Sequence, residues 1–84
     1  ETRATISAMN LPQLPLGQVY QVWLIKRGGL EFMTGTFTVD STGYGQTDID
    51  LSSPLGEFTA ILITIERVGG SSSRTGNSVL RADL

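Results

Sequence analysis

Three aspartates that lie close together in the sequence are the first candidates for a chemical role. Asp40, Asp48 and Asp50 flank the glycine-rich segment Ser41–Gly45, and hard cations such as Ca²⁺ prefer several clustered carboxylate oxygens. Their spacing does not match an EF-hand loop, and aspartate commonly opens a turn because its side chain bonds to the nearby backbone. We therefore interpret Asp40 as a turn residue and the other two as a solvated strand face, with a calcium site as the alternative.

The chain contains few of the side chains that nucleophilic and acid–base catalysis use. The sequence contains no histidine and no cysteine, which removes the commonest general base, the commonest metal ligand and thiolate sites. Glu66-Arg67 has no second acid placed near it by the sequence, so we interpret the pair as a charged strand end leaving the core. Ser71–Ser73 has no activating partner except the sole lysine, Lys26. We predict a protein that is not an enzyme and that carries no metal or cofactor.

Glycine and aromatic residues suggest two further kinds of site. Gly69-Gly70 is a weak candidate for a phosphate loop, but the patterns of such loops are missing and no helix is predicted after the pair. A turn that uses the backbone freedom of glycine explains it better. Trp23 and Tyr20 could stack on a sugar or a base, but aromatic residues flanked by valine and leucine within a strand more often belong to a core.

Length and charge narrow the function classes further. Six basic and eight acidic residues give the 84-residue chain a net charge of −2, without the basic patch typical of nucleic-acid-binding domains. No apolar run approaches the roughly 18 residues of a membrane span. We expect a single β-rich domain over residues 1–84. Because the chain begins at Glu1 and not at a methionine, we also expect it to be a fragment of a longer protein.

The stretch Gly17–Arg27, GQVYQVWLIKR, organises the rest of the chain. It is rich in β-branched and aromatic residues and contains the single tryptophan. Its apolar residues fall on both alternating faces: Tyr20, Val22 and Leu24 on one, and Trp23 and Ile25 on the other. A strand that is apolar on both faces needs cover above and below. Phe58–Val68 has the same character, and we expect these two strands to form the core.

Alternation of apolar and polar residues between turn signals predicts four further strands: Ala4–Met9, Leu30–Asp40, Gln46–Leu51 and Val79–Leu84. In the predicted strand Leu30–Asp40, the side chains of Met33, Phe37 and Val39 are expected to face inward. Phe32 and the threonines of this strand are expected to face outward. Ser41–Gly45 is predicted to be a hairpin turn, after which Ile49 and Leu51 face inward. No helical stripe is present, so the sequence predicts an all-β fold, a small antiparallel β-sandwich or open barrel of about six strands with no substantial helix.

Three segments have an order and spacing that go beyond a general strand pattern: NLPQLPLGQVYQVWLI from Asn10, MTGTFTVDSTGYG from Met33 and ITIERVGGSSSRTG from Ile63. Together they resemble the C-terminal domain of the anti-sigma-K factor family. In that family an LP-x-LP segment leads into a Tyr-Gln-x-Trp-Leu strand, and a later Thr-x-Glu strand ends in Gly-Gly-Ser. The positions that match, which we interpret as architectural, are Leu11, Pro12, Leu14, Pro15, Tyr20, Gln21, Trp23, Leu24, Glu66, Gly69 and Gly70.

The resemblance implies the extracytoplasmic domain of a membrane-anchored anti-sigma factor. Its expected role is to sense a signal or to gate proteolysis, so that the full-length protein restrains a sigma factor until it is cleaved. The implied partners are a sigma factor bound by an N-terminal domain absent from this chain, the membrane through an absent helix, and site-1-type and intramembrane proteases. The implied location is the cell membrane, with this domain on its extracytoplasmic side. The alternative is a carbohydrate- or peptide-binding β-sandwich module of a secreted or surface protein.

The resemblance also implies at least one more strand before the position of Ala4. We therefore expect an unprotected sheet edge in this chain. Because exposed edges recruit partners by strand addition or swapping, we predict a homodimer formed through an edge strand.

Overall fold

A computed structural model describes residues 2–29, 31–51, 55–70 and 78–83, with side chains for all of these except residues 2, 31–33 and 55. The described residues form six strands in chain order: β1 Thr2–Ala8, β2 Gln18–Lys26, β3 Glu31–Phe37, β4 Gly45–Leu51, β5 Phe58–Arg67 and β6 Leu80–Asp83. A 3₁₀ turn over Leu55–Glu57 precedes β5. The six predicted strands are confirmed, with ends shifted by a few residues.

The strands form two antiparallel sheets that face each other. One sheet has four strands in the order β3-β2-β5-β6, and the other consists of β1 and β4. In the described part of the chain these sheets do not close into a barrel. The predicted all-β class is confirmed, and the arrangement is that of a sandwich.

The tryptophan-containing strand β2 pairs with β5 in the middle of the larger sheet. The register places Trp23 opposite Leu62 and Tyr20 opposite Ile65. Trp23, on one face of the sheet, and Tyr20, on the other, are each only 1% exposed. The prediction that β2 is covered on both faces and shares the core with β5 is therefore confirmed.

Apolar residues of both sheets meet between the layers in two adjoining clusters. Their buried members are Ala8, Leu11, Tyr20, Val22, Phe37 and Ile63 in one, and Leu24, Ile49, Leu51 and Phe58 in the other. The β4 residues alternate as predicted, with Ile49 and Leu51 buried while Asp48 and Asp50 are exposed. Burial of these apolar groups against each other is the main force that holds the two sheets together.

The segment predicted to be a hairpin turn, Ser41–Gly45, instead carries the chain from one sheet to the other. β3 pairs with β2, and β4 pairs with β1 in a register that places Ala4 opposite Ile49. The physical reason is burial: β4 has one apolar face, and folding it over the larger sheet covers that face. The predictions for Met33 and Phe32 concern side chains outside those described.

Candidate functional site

The matched sequence positions divide between the two faces of the larger sheet, because successive residues of a strand point in opposite directions. Tyr20 and Leu24 point toward the smaller sheet, and Gln21 and Trp23 point away from it. Both sets are buried. The structure thus gathers the candidate residues into an inner group between the sheets and an outer group on the far face.

In the inner group, the Tyr20 side chain fixes the proline-containing link that precedes β2. Its hydroxyl donates a hydrogen bond to the Pro12 carbonyl oxygen at 2.5 Å, and its ring stacks on Phe37 with centroids 5.5 Å apart. Burial raises the pKa of the Tyr20 phenol, so the phenol stays protonated and keeps donating this bond at neutral pH. Leu11 is buried beside it, and Leu14 packs against the same cluster.

Backbone hydrogen bonds hold the same link at both ends. The Leu11 N–H donates to the Gly43 carbonyl at 3.1 Å, which ties the link to the turn between the sheets. The Gln18 N–H donates to the Pro15 carbonyl at 3.2 Å, closing a turn immediately before β2. The matched segment is therefore held by the turn between the sheets at one end and by the start of β2 at the other.

In the outer group, three side chains form a buried relay of hydrogen bonds. The Trp23 indole N–H donates to Thr64 Oγ1 at 2.8 Å, and the Thr64 hydroxyl donates to Glu66 Oε2 at 2.7 Å. A threonine hydroxyl accepts and donates at the same time, so it links an obligate donor to an acceptor. No buried side-chain nitrogen or oxygen of the described residues lacks a hydrogen-bond partner.

Gln21 and Gly70 complete the outer group. Gln21 is fully buried, and a Cβ added at Gly70 would lie 3.1 Å from its side-chain oxygen. The Gly70 N–H donates to the Arg67 carbonyl at 2.9 Å, which closes a tight turn after β5. The interpretation of Gly69-Gly70 as a turn is confirmed, and this turn brings the backbone onto the Gln21 side chain.

The interpretation of Glu66-Arg67 as a charged strand end is right for Arg67 and wrong for Glu66. Arg67 is exposed, but Glu66 is only 3% exposed. Thr64, which was not among the residues predicted from the sequence to form a site, is also fully buried. Its signal was present in the sequence, because residues two apart on a strand share a face and Thr64 stands two residues before the glutamate.

The three aspartates behave as turn and surface residues. Asp40 Oδ1 accepts hydrogen bonds from the Thr42 N–H at 2.9 Å, the Thr42 hydroxyl at 2.6 Å and the Tyr44 N–H at 3.1 Å. These bonds, above all the one from the Thr42 hydroxyl, hold the pKa of the Asp40 carboxyl below its usual value. Asp48 accepts from the Thr5 hydroxyl at 2.6 Å, and Asp50 pairs with Arg3 at 3.2 Å. The turn interpretation of Asp40 is confirmed.

Those of the remaining candidates that the structure describes show no arrangement for catalysis. Lys26 forms an ion pair with Glu57 at 3.4 Å, and Ser71–Ser73 lie outside the described residues. Within the described ranges, no three acidic, histidine or cysteine side chains lie close enough to hold a metal ion. Trp23 is buried at both its ring and its N–H, so it offers no surface on which a sugar or base could stack.

The fold and these contacts first identify the class of the protein. It is a small, two-layered β domain in which the buried polar side chains are hydrogen-bonded within the domain. The sequence can then be placed in a family. The model of the family described as "Anti-sigma-K factor rskA, C-terminal" matches residues 1–78, and the chain belongs to that family. Proteins of this family are regulatory, are not known as enzymes, and are usually associated with membranes.

The other comparisons add no relative. Neither the curated proteins nor the solved structures include a match to this chain. Among the described residues, no helix has the length and apolar character needed to cross a bilayer.

Proposed function

We propose that this chain is the extracytoplasmic domain of a transmembrane anti-sigma factor and that it gates proteolysis of the full-length protein. The folded sandwich would stand next to the membrane and shield the adjoining segment from a site-1-type protease. Displacement or unfolding of the domain would expose that segment, and an intramembrane protease would then complete the release of the sigma factor.

The family match over residues 1–78 is the observation that carries this proposal. The structure supports it through what the matched residues do: Tyr20, Trp23 and Glu66 are buried and hydrogen-bonded within the domain. Such contacts stabilise a compact folded state, which is the property that a steric shield requires. The described residues contain no cluster that argues for chemistry instead.

The test is deletion of residues 1–84 from the full-length membrane protein, with transcription from a sigma-dependent promoter as the readout. The deletion should raise basal transcription, because the protease site loses its cover. Thr64→Val, which breaks the relay inside the folded domain, should raise it partially. Thr59→Val changes an exposed position of the same strand, whose hydroxyl makes only a solvent-exposed bond of 3.3 Å to the Ile25 carbonyl; it is the matched control and should leave transcription unchanged. Unchanged transcription after the deletion would refute the gating role.

A sugar-binding role is not favoured by the structure. The two aromatic residues that the sequence offered as a stacking platform, Trp23 and Tyr20, are each only 1% exposed. The homodimer through an edge strand stays a prediction, to be checked by sedimentation of the 84-residue chain.

A further inference from the structure

The exposed apolar side chains of the sandwich are concentrated at one of its ends. Among the described residues six large apolar side chains are well exposed, and the four at this end are Met9, Leu16, Tyr44 and Val68. Single exposed apolar residues are ordinary on a protein surface, but several gathered together mark an interaction surface. We call these four residues the apolar end.

In the smaller sheet, Met9 and Tyr44 lie at the ends of neighbouring strands. The pairing of β1 with β4 finishes with Ala8 opposite Gly45, and Met9 and Tyr44 are the next residues beyond that pair. The Tyr44 hydroxyl donates a hydrogen bond to the Gln46 side-chain oxygen at 2.7 Å. Its polar group is therefore satisfied, while the residue as a whole stays 39% exposed.

In the larger sheet, Leu16 and Val68 lie together where β2 begins and β5 ends. The Val68 N–H donates to the Gly17 carbonyl at 2.9 Å, so Leu16, the residue before that glycine, is next to Val68. A bond of 3.1 Å from the Leu11 N–H to the Gly43 carbonyl ties the link before β2 to the turn before β4. The two pairs of apolar residues therefore share one end of the sandwich.

Charged side chains are distributed in the opposite way. Residues 8–18, 38–45 and 67–70 make up this end and carry two charged side chains, Asp40 and Arg67, one of each sign. Asp40 Oδ1 accepts three hydrogen bonds from its own turn, which hold the carboxylate against that turn. Three ion pairs lie toward the opposite end, where β1 and β5 begin and β6 finishes: Arg3–Asp50, Lys26–Glu57 and Arg81–Asp83.

We propose that the apolar end docks on the surface of a lipid bilayer, with its four side chains in the interfacial layer. This inference rests on the proposed position of the domain next to the membrane, and it names the part of the domain that faces the lipid. Removal of exposed apolar surface from water favours the contact. Tyr44 suits such an interface because one part of its side chain is apolar and the other is polar.

The shape of the apolar end favours a bilayer over a protein partner. Apolar ligand sites in proteins are concave, whereas Leu16 is 104% exposed and projects fully into the solvent. It lies in the tight turn that the bond of 3.2 Å from the Gln18 N–H to the Pro15 carbonyl closes. A fluid bilayer adapts to a projecting side chain, and amphipathic surfaces enter it to a depth of about 5–10 Å.

This orientation is compatible with a membrane anchor that precedes the domain. β1 runs toward the apolar end, because its last paired residue, Ala8, lies there. The further strand that the resemblance implies before Ala4, paired antiparallel with β1, would therefore start at the apolar end. The anchor would then enter the bilayer beside the residues that contact the lipid.

The test is flotation of the 84-residue chain with vesicles of phosphatidylcholine, without protease or sigma factor. We expect half of the chain to bind at roughly millimolar lipid, which is weaker than the binding of a single myristoyl chain, about 10⁴ M⁻¹. Added anionic phosphatidylglycerol should not strengthen binding, because the chain has a net charge of −2 and the apolar end has one charge of each sign. Absence of binding up to about 10 mM lipid, or binding that requires the anionic lipid, would overturn the proposal.

Three variants of the chain locate the contact. Leu16→Glu changes a fully exposed side chain, so it should leave the fold intact and weaken binding about tenfold. Met9→Glu tests the smaller sheet and should also weaken binding. Leu80→Glu is the matched control, since Leu80 is 41% exposed but lies opposite Ile63 in the middle of β5, and it should bind within about twofold of the parent chain. Equal affinities of Leu16→Glu and Leu80→Glu, or a Met9→Glu chain that binds like the parent, would overturn the proposal.

Failure of this inference is distinguishable from failure of the gating role. If the chain binds vesicles and its deletion leaves transcription unchanged, the gating role fails and the lipid contact stands. If the deletion raises transcription and the chain binds no vesicles, the lipid contact alone fails. Self-association of the chain that Leu16→Glu abolishes, without binding to vesicles, would overturn the proposal in favour of a contact between copies.

Discussion

Thr64→Val is the perturbation that most directly tests the buried relay. Valine has nearly the shape of threonine, so the substitution removes the hydroxyl while keeping the volume of a fully buried side chain. The Trp23 indole N–H then loses its acceptor at 2.8 Å. Glu66, which is only 3% exposed, loses a donor at 2.7 Å.

The expected loss of stability follows from these two broken bonds. A buried donor left unsatisfied costs about 1–3 kcal/mol, and a hydrogen bond to a charged group contributes about 1.5–3 kcal/mol. The methyl group that replaces the hydroxyl returns roughly 1 kcal/mol through its apolar surface. We therefore expect the free energy of unfolding to fall by about 2–4 kcal/mol, a large part of the total of about 4–13 kcal/mol typical of a domain this size.

The assay is urea unfolding at neutral pH, followed by Trp23 fluorescence and independently by far-ultraviolet circular dichroism. Thr64→Ser keeps the hydroxyl and loses one methyl group, so it should cost only about 1 kcal/mol. Thr59→Val removes a hydroxyl at an exposed position of the same strand, where it makes only a solvent-exposed bond of 3.3 Å to the Ile25 carbonyl, and should change stability by less than about 0.5 kcal/mol. In thermal unfolding, Thr64→Val should lower Tm by roughly 8–32 °C.

Two results would refute this reasoning. If Thr64→Val were as stable as the parent chain, the relay would contribute nothing measurable to stability. If Thr64→Ser were as unstable as Thr64→Val, the loss would come from packing and not from the hydroxyl.

Two further predictions concern the turn between the sheets. Gly43→Ala should lower the free energy of unfolding by at least about 1 kcal/mol more than Gly17→Ala does. Both glycines have positive φ, 86° and 93°, but only at position 43 would the new Cβ lie 2.9 Å from the Leu11 carbonyl oxygen. Equal losses of stability in urea unfolding would contradict this prediction. The lowered pKa of Asp40 stabilises the fold above the ordinary value of 3.8, and this contribution is lost as the pH falls through the folded-state pKa. Asp40→Asn should therefore be less stable than the parent chain at neutral pH, with a difference that shrinks below about pH 4; a difference that stayed constant with pH would contradict this prediction.

Local pattern was sufficient to predict the strands and the way in which they are buried. In β4, Ile49 and Leu51 alternate with Asp48 and Asp50, and this alternation predicted which face of the strand is buried. The structure confirms that prediction. Likewise, the apolar residues on both faces of β2 predicted a central strand with cover on each side. These features follow from side-chain alternation along an extended chain, which depends on no distant residue.

The local sequence pattern did not predict which strands pair with each other. The turn at Ser41–Gly45 looks like a hairpin in the sequence, yet β4 crosses to the other sheet and pairs with β1. Both arrangements satisfy the backbone and the turn. The difference between them is the apolar area buried between layers, which depends on residues far apart in the chain.

The sequence by itself determined the strand content, the absence of histidine and cysteine chemistry, and the family to which the chain belongs. Only the tertiary structure showed that Glu66 is buried and that it is linked through Thr64 to Trp23 of a different strand. Only the tertiary structure brought the four residues of the apolar end together, since strand pairing joins residues that are far apart in the chain. The physical reason is the same in both cases: alternation sets which face a residue occupies, and long-range packing sets what lies next to it.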